Sequence, residues 1–243
     1  MRYLMTFSYD GTFFKGYQKQ KSERTVQEEI EKALTRINSS PVLISASGRT
    51  DSKVHALNQK AHFDFDKKIE LKKLKNAINS LLPDDIYIKK IQVVKNNFHA
   101  RFNVVSKEYE YKINIGKYNP LQRNYIYQYN SNLNIDDMEK AIKFFEGTHN
   151  FKTFTKTTNE EKDYIRTIYN ARIKKSGTII TLTFKGNGFL RYMVRNMVGS
   201  LISVGEGKIK PSDIKEMLKK EDRRCATITA HPEGLYLKNV YYK

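Results

Sequence analysis

The chain has 243 residues, enough for one large domain or two small ones with a sizeable core. No apolar run approaches the roughly 18–20 residues that cross a bilayer, and the single Cys225 excludes an internal disulfide and fits a reducing compartment such as the cytoplasm. With 44 Lys and Arg against 26 Asp and Glu, the formal charge of +18 points to a polyanionic partner: RNA, DNA or an acidic membrane surface.

The N-terminal MRYLMTFSYDGT reads as a strand rather than a signal peptide, because no long apolar core is followed by small residues. Tyr3, Met5, Phe7 and Tyr9 alternate onto one face of that strand. DGTFFKGYQKQ follows as a basic aromatic loop. Thr25-Val26-Gln27-Glu28 then has the form of a capping box. It opens a helix whose apolar stripe is Val26, Ile30, Leu34 and Ile37. PVLISAS and AHFDFD read as strands on either side of the loop ASGRTDSKVHALNQ. Leu71, Leu74, Ile78, Leu81 and Leu82 mark a second helix stopped by Pro83, and a strand returns over 86–94.

The alternation restarts near residue 104. VVSKEYEYKINI is a strand candidate, and 135–146 a helix stopped by Gly147. Ser176-Gly177 marks a hairpin between IYNARIKK and TIITLTFK. FLRYMVRNMVGSLISV has helical spacing and ends at Gly205. A short helix after Pro211 and a last strand, GLYLKNVYY, close the chain. The pattern predicts an α+β protein of two α/β halves, 1–103 and 104–243, whose mixed sheets could join.

His55, His62, His99, His149 and His231 lack cysteine partners or a zinc-helix spacing, so each reads as a structural histidine and no metal site is predicted. No phosphate-cradling glycine motif opens a helix, and GEGK at 205–208 follows one as a stop. What is left is carboxylate, arginine and tyrosine chemistry. In GRTD, Gly48 permits a sharp turn, Arg49 can contact phosphate or a base stack, and Asp51 can serve as acid, base or nucleophile. Taken alone, an Asp in a strand–loop–strand turn is most often a turn cap.

Five further stretches, taken with the one that holds GRTD, change that weighting. SYDGTFFKGYQKQ, TVQEEIEKAL, SGRTDSKVHALNQKAHF, FHARFNVVSKEYEYKI, NGFLRYMVRNMVGSLISVGEGK and AHPEGLYLKNVYY occur in one order along nearly the whole chain. Together they resemble the tRNA pseudouridine synthases of the TruA type. The resemblance implies cofactor-free isomerisation of uridine: the N1–C1′ bond breaks, the base turns, and C5 is joined to C1′. It implies Asp51 as the nucleophile, Arg195 of MVRN as its charge partner, and Tyr109 of the YxY strand as the ring that stacks on the uracil. Tyr109 and Tyr111 share strand parity, so one can bind substrate while the other packs. It further implies RNA contacts from Arg49 and from Phe98, His99, Ala100, Arg101 and Phe102, with Lys15, Lys19, Lys53, Lys107, Lys162 and Arg166 extending a cationic track. The implied fold has two α/β domains whose sheets run into one, a cleft between them, and a homodimer bound to structured RNA.

The family's usual GRTDAGVHA is GRTDSKVHA here, so Ser52 and Lys53 replace a small pair directly after Asp51. Asn58 stands where glycine is usual, and Tyr17 where tryptophan is frequent. These changes lie where substrate must pass, and they leave three readings: a tRNA anticodon-arm enzyme, a paralogue acting on ribosomal RNA, or a non-catalytic RNA-binding protein.

Overall fold

The computed structural model of the chain describes residues 1–156 and 163–243. Lys162, one of the expected cationic residues, lies outside them. The backbone divides into two compact units, Met1–Val105 with Tyr236–Lys243, and Ser106–Leu235. Both are α+β.

The first unit begins with β1 (Arg2–Tyr9), α1 (Val26–Asn38), β2 (Ile44–Ala46), β3 (His55–Asp64), α2 (Leu71–Asn79) and β4 (Ile86–Val93). β1 lies between β3 and β4, antiparallel to both, and β2 pairs with β3. Tyr3, Met5, Phe7 and Tyr9 are all buried, as their alternation requires. β3 starts several residues earlier than its apolar alternation announces. Leu81 and Leu82 fall beyond α2, whose last residue, Asn79, exchanges two side-chain bonds with Ile88 of β4.

The expected capping box does not form. Thr25 stands at the N-cap of α1, yet its side chain makes no cap bond, and its buried hydroxyl has no partner among the described residues. Main-chain groups take over instead. Val26 N–H donates to the Gly16 carbonyl (3.4 Å) and Gln27 N–H to that of Tyr17 (3.0 Å). The first turn of α1 thereby spends its spare donors on the aromatic loop.

The second unit holds most of β5 (Val104–Asn114), then β6 (Tyr127–Gln128), α3 (Ile135–Ile142), β7 (Gly147–Asn150), β8 (Ile165–Ser176), β9 (Ile179–Gly186), α4 (Met193–Gly205) and α5 (Asp213–Lys220). Its strands run in the order β6, β5, β9, β8, β7, with β6 parallel to β5 and the rest antiparallel. Gly177, at φ 58°, turns the β8–β9 hairpin. The helix expected to begin at Phe189 begins at Met193. Residues 143–145 continue α3 as a 3-10 turn.

The last strand, β10 (Leu235–Tyr242), departs from the division at 103/104. From Tyr236 onward it belongs to the first unit. There Tyr236 and Leu237 pair in parallel with His55 and Ala56, and the Tyr242 hydroxyl donates to the Ala100 carbonyl at 2.7 Å. A strand's hydrogen-bond partners can be distant in sequence, so chain order did not disclose its home.

Candidate active site

Asp51 sits on the loop between β2 and β3. Both arms of this loop are tied down. Ser47 N–H donates to the Lys60 carbonyl (2.8 Å), its hydroxyl donates to Gln59 Oε1 (2.6 Å), and Gln59 Nε2 donates to the Gly48 carbonyl (3.0 Å). Thr50 is buried and its hydroxyl bonds that of Tyr9 at 2.8 Å.

The tip is held by the aromatic loop 10–17. Tyr17 N–H donates to the Thr50 carbonyl (3.1 Å), while Lys53 N–H (3.3 Å) and the Ser52 hydroxyl (3.1 Å) both donate to the Phe14 carbonyl. A Cβ on Gly16 would lie 3.0 Å from the Thr50 oxygen, and one on Gly11 2.2 Å from the Val54 oxygen. Those two glycines let the loops touch. Phe14 is itself fixed: the Arg24 guanidinium lies 4.2 Å from its ring centre and pairs in bidentate fashion with Asp85 (2.7 and 2.9 Å). That buttress was hidden from sequence reading, since Arg24 and Asp85 are 61 residues apart and no period connects them.

Lys53 has φ 64°, in the left-handed region that glycine reaches freely and lysine does not. Arg49, Lys53, Lys15 and Lys19 are exposed, and so is Phe13, at 74%. Asn58, by contrast, is used structurally. Its Nδ2 donates to the Lys238 carbonyl of β10 (2.9 Å), and its Oδ1 accepts from Lys89. Tyr17 is buried.

The stretch 98–102 follows β4 in the same unit, and its residues divide. Ala100 is fully buried, its N–H donating to His62 Nδ1 (3.1 Å) and its carbonyl accepting from Tyr242, so it has no surface to offer RNA. Phe98 packs edge-on to Tyr242. Arg101 and Phe102 are exposed, and the Phe102 ring lies 4.3 Å from that of His99. Burial and the nearby Arg2 guanidinium lower the pKa of His62, in keeping with a neutral Nδ1 that accepts a hydrogen bond.

Tyr109, Arg195, Lys107 and Arg166 belong to the second unit. Both tyrosines of the YxY pair are buried, Tyr111 the more completely. It is fully buried, its hydroxyl donates to the His231 carbonyl (2.6 Å), and Gly234 lies against its ring, where a Cβ would come within 2.8 Å. Burial raises the pKa of that hydroxyl far above its usual value. Tyr109 is 8% exposed, with its ring 5.0 Å from Phe189 in an edge contact.

Arg195 lies in the first turn of α4. Its Nε donates to the Ala230 carbonyl (2.7 Å), and Ala230 N–H returns a bond to the Arg195 carbonyl (3.0 Å). Tyr192, just before the helix, has φ 62° and carries Lys156, Arg191 and Arg195 within 6.0 Å of its ring centre. No period in the sequence marks that cluster. Arg166 Nη1 donates to the Ile165 carbonyl (2.6 Å) and lies 3.4 Å from the Asp163 carboxylate.

Residues 5–103 and 141–243 match the family described as tRNA pseudouridine synthase. The chain belongs to that family. The matched residues include Asp51 and Arg195, while Tyr109 lies in the stretch between the two matched segments. The chain is 44% identical over 242 residues to tRNA pseudouridine synthase A of Exiguobacterium sp. (strain ATCC BAA-1283 / AT1b), covering 100% of this chain and 98% of that protein. It is 43% identical over 245 residues to tRNA pseudouridine synthase A of Bacillus subtilis (strain 168), covering 100% and 99%. With the Pseudothermotoga lettingae protein of the same name it shares 46% over 241 residues, covering 98% of each. This synthase is an isomerase that makes pseudouridine.

Proposed function

We propose that the synthase converts uridines in the anticodon arm of tRNA to pseudouridine, with Asp51 as nucleophile, Tyr109 stacked on the target uracil and Arg195 holding the carboxylate charge. The observation that carries this reading is the near-full-length match to relatives named for tRNA, with Asp51 on a loop tied down by its neighbours. The reaction is an isomerisation. The uracil N1–C1′ bond breaks, C5 forms the new bond to C1′, the C5 proton is lost, and N1 gains a proton. It needs no cofactor. Uracil must leave the base stack first, at about a few kcal/mol, and an exposed Arg49 on the same loop is suited to occupy the gap. Arg101, Phe102, Lys15, Lys53 and Lys107 extend the RNA surface. The working form is a cytoplasmic homodimer.

Ribosomal RNA is the weaker substrate reading, because the relatives are named for tRNA and Asn58 is accounted for by its bond to β10. The test maps pseudouridine in unmodified tRNA and ribosomal RNA after incubation with the wild type and with Asp51→Ala. Asp51-dependent product in the anticodon arm is expected. Product confined to ribosomal RNA, or binding with no product, overturns the assignment. Sedimentation of the purified chain reads the homodimer.

A further inference from the structure

Asp51 O accepts from Val54 N–H at 3.2 Å, which closes a four-residue turn with Ser52 and Lys53 at its centre. Lys53 has φ 64°, whereas Ser52 is absent from the residues of positive φ. This is the order of a type II turn, whose third residue is ordinarily glycine. A lysine persists in such a conformation only where its surroundings over-determine it. Those surroundings are on hand: the Phe14 carbonyl accepts both the Lys53 N–H and the Ser52 hydroxyl. An alanine at 52 would leave out the second of these bonds.

The lysine so placed is exposed, and its ammonium has no acid partner among the described residues. Arg49 and Lys15 are also exposed in the same two loops, as is Phe13. We infer that Ser52 and Lys53 work as a pair: Lys53 grips an RNA backbone phosphate beside the target uridine, and Ser52 is the positioning residue that stabilises the left-handed backbone presenting it. This rests on the tRNA reading above. An ammonium is a compact charge without a planar fork, so the contact strengthens and orients binding and reads no base.

The experiment compares the wild type, K53G, K53R, S52A and the S52A/K53G double variant. It measures tRNA Kd by filter binding and kcat and KM for pseudouridine formation, between about 50 and 200 mM salt, with thermal midpoints in parallel. K53G is expected to weaken tRNA binding about three- to tenfold at low salt, and to reduce the slope of log Kd against log salt by about one. The loss in kcat/KM falls mainly on KM, and the midpoint rises by about 2 °C as the strain is relieved. K53R keeps the wild-type slope.

S52A lowers the midpoint and weakens binding when residue 53 is lysine, and does little when it is glycine. An unchanged salt slope in K53G, or an S52A effect of the same size in both backgrounds, overturns the pair. A wild type that binds and modifies tRNA alongside such a result leaves the substrate reading standing. A wild type that binds no tRNA overturns both.

Discussion

In the first unit, Asp51 is placed by hydrogen bonds from one loop to another. In the second, Arg195 is placed by the packing of a helix. The Asp51 loop donates to the carbonyls of Phe14 and Lys60, and its own Gly48 and Thr50 carbonyls accept from Gln59 and Tyr17. In α4 every residue from Asn196 to Gly205 is buried. A Cβ on Gly199 would lie 1.8 Å from the Ile228 oxygen, in the same segment that supplies Ala230 to Arg195. Each region also carries a non-glycine residue of positive φ near the side chain proposed to act, Lys53 in one and Tyr192 in the other. The lesson is one of tolerance. A hydrogen-bonded loop can carry an exposed side chain such as that of Lys53 while a neighbour, Ser52, is tied back to the Phe14 carbonyl. A close-packed helix has no wet side to change.

The largest expected effect separates the two roles. Asp51→Ala should lower kcat by at least about a thousandfold with folding intact. Arg195→Lys keeps the charge and loses the Nε donor to Ala230, and its kcat should fall on the order of a hundredfold. Single-turnover assays check both, and the reverse order would break the comparison.

Next come the glycines. Gly199→Ala should destabilise by about 3 kcal/mol or more, because backbone stands in the way. Gly16→Ala should lose about 1–2 kcal/mol, since it combines φ 105° with a marginal 3.0 Å contact. Denaturant unfolding orders the two, and equal losses would erase the distinction between packed helix and bonded loop.

A smaller effect belongs to the stretch 98–102. The folded pKa of His62 lies below its unfolded value of about 6.5. The folded state therefore binds fewer protons, and the stability this contributes is present above pH ~6.5 and lost as pH falls toward the folded pKa. His62→Asn should flatten the dependence of stability on pH below ~6.5, measured by urea midpoints from pH 5 to 8. An unaltered slope would remove His62 as its cause.

The smallest is Tyr17→Phe. The Tyr17 hydroxyl is buried with no hydrogen-bond partner among the described residues, so its removal should stabilise by about 1 kcal/mol while the N–H to Thr50 persists. A loss of stability would mean that the hydroxyl supports the loop.

Much of the fold was legible because its signals are local. Alternation marked β1, the helical stripe marked α1, and Ser176-Gly177 marked the hairpin, since side-chain periodicity follows directly from backbone geometry. Asp51 and Arg195 were singled out for another reason: GRTD and MVRN are motifs, and both lie within the residues that match the family. By itself, then, the sequence determined the element types, the reaction class and which carboxylate to suspect. Only the tertiary structure decided that β10 from Tyr236 onward joins the first unit, that carbonyls of residues 16 and 17 cap α1 in place of Thr25, and that Ala100 is core. It also decided that the Tyr111 hydroxyl bonds the His231 carbonyl and that Ser52 and Lys53 share one acceptor. Each of these turns on a hydrogen bond or contact between residues far apart in the chain, and no local period or propensity encodes such a partner.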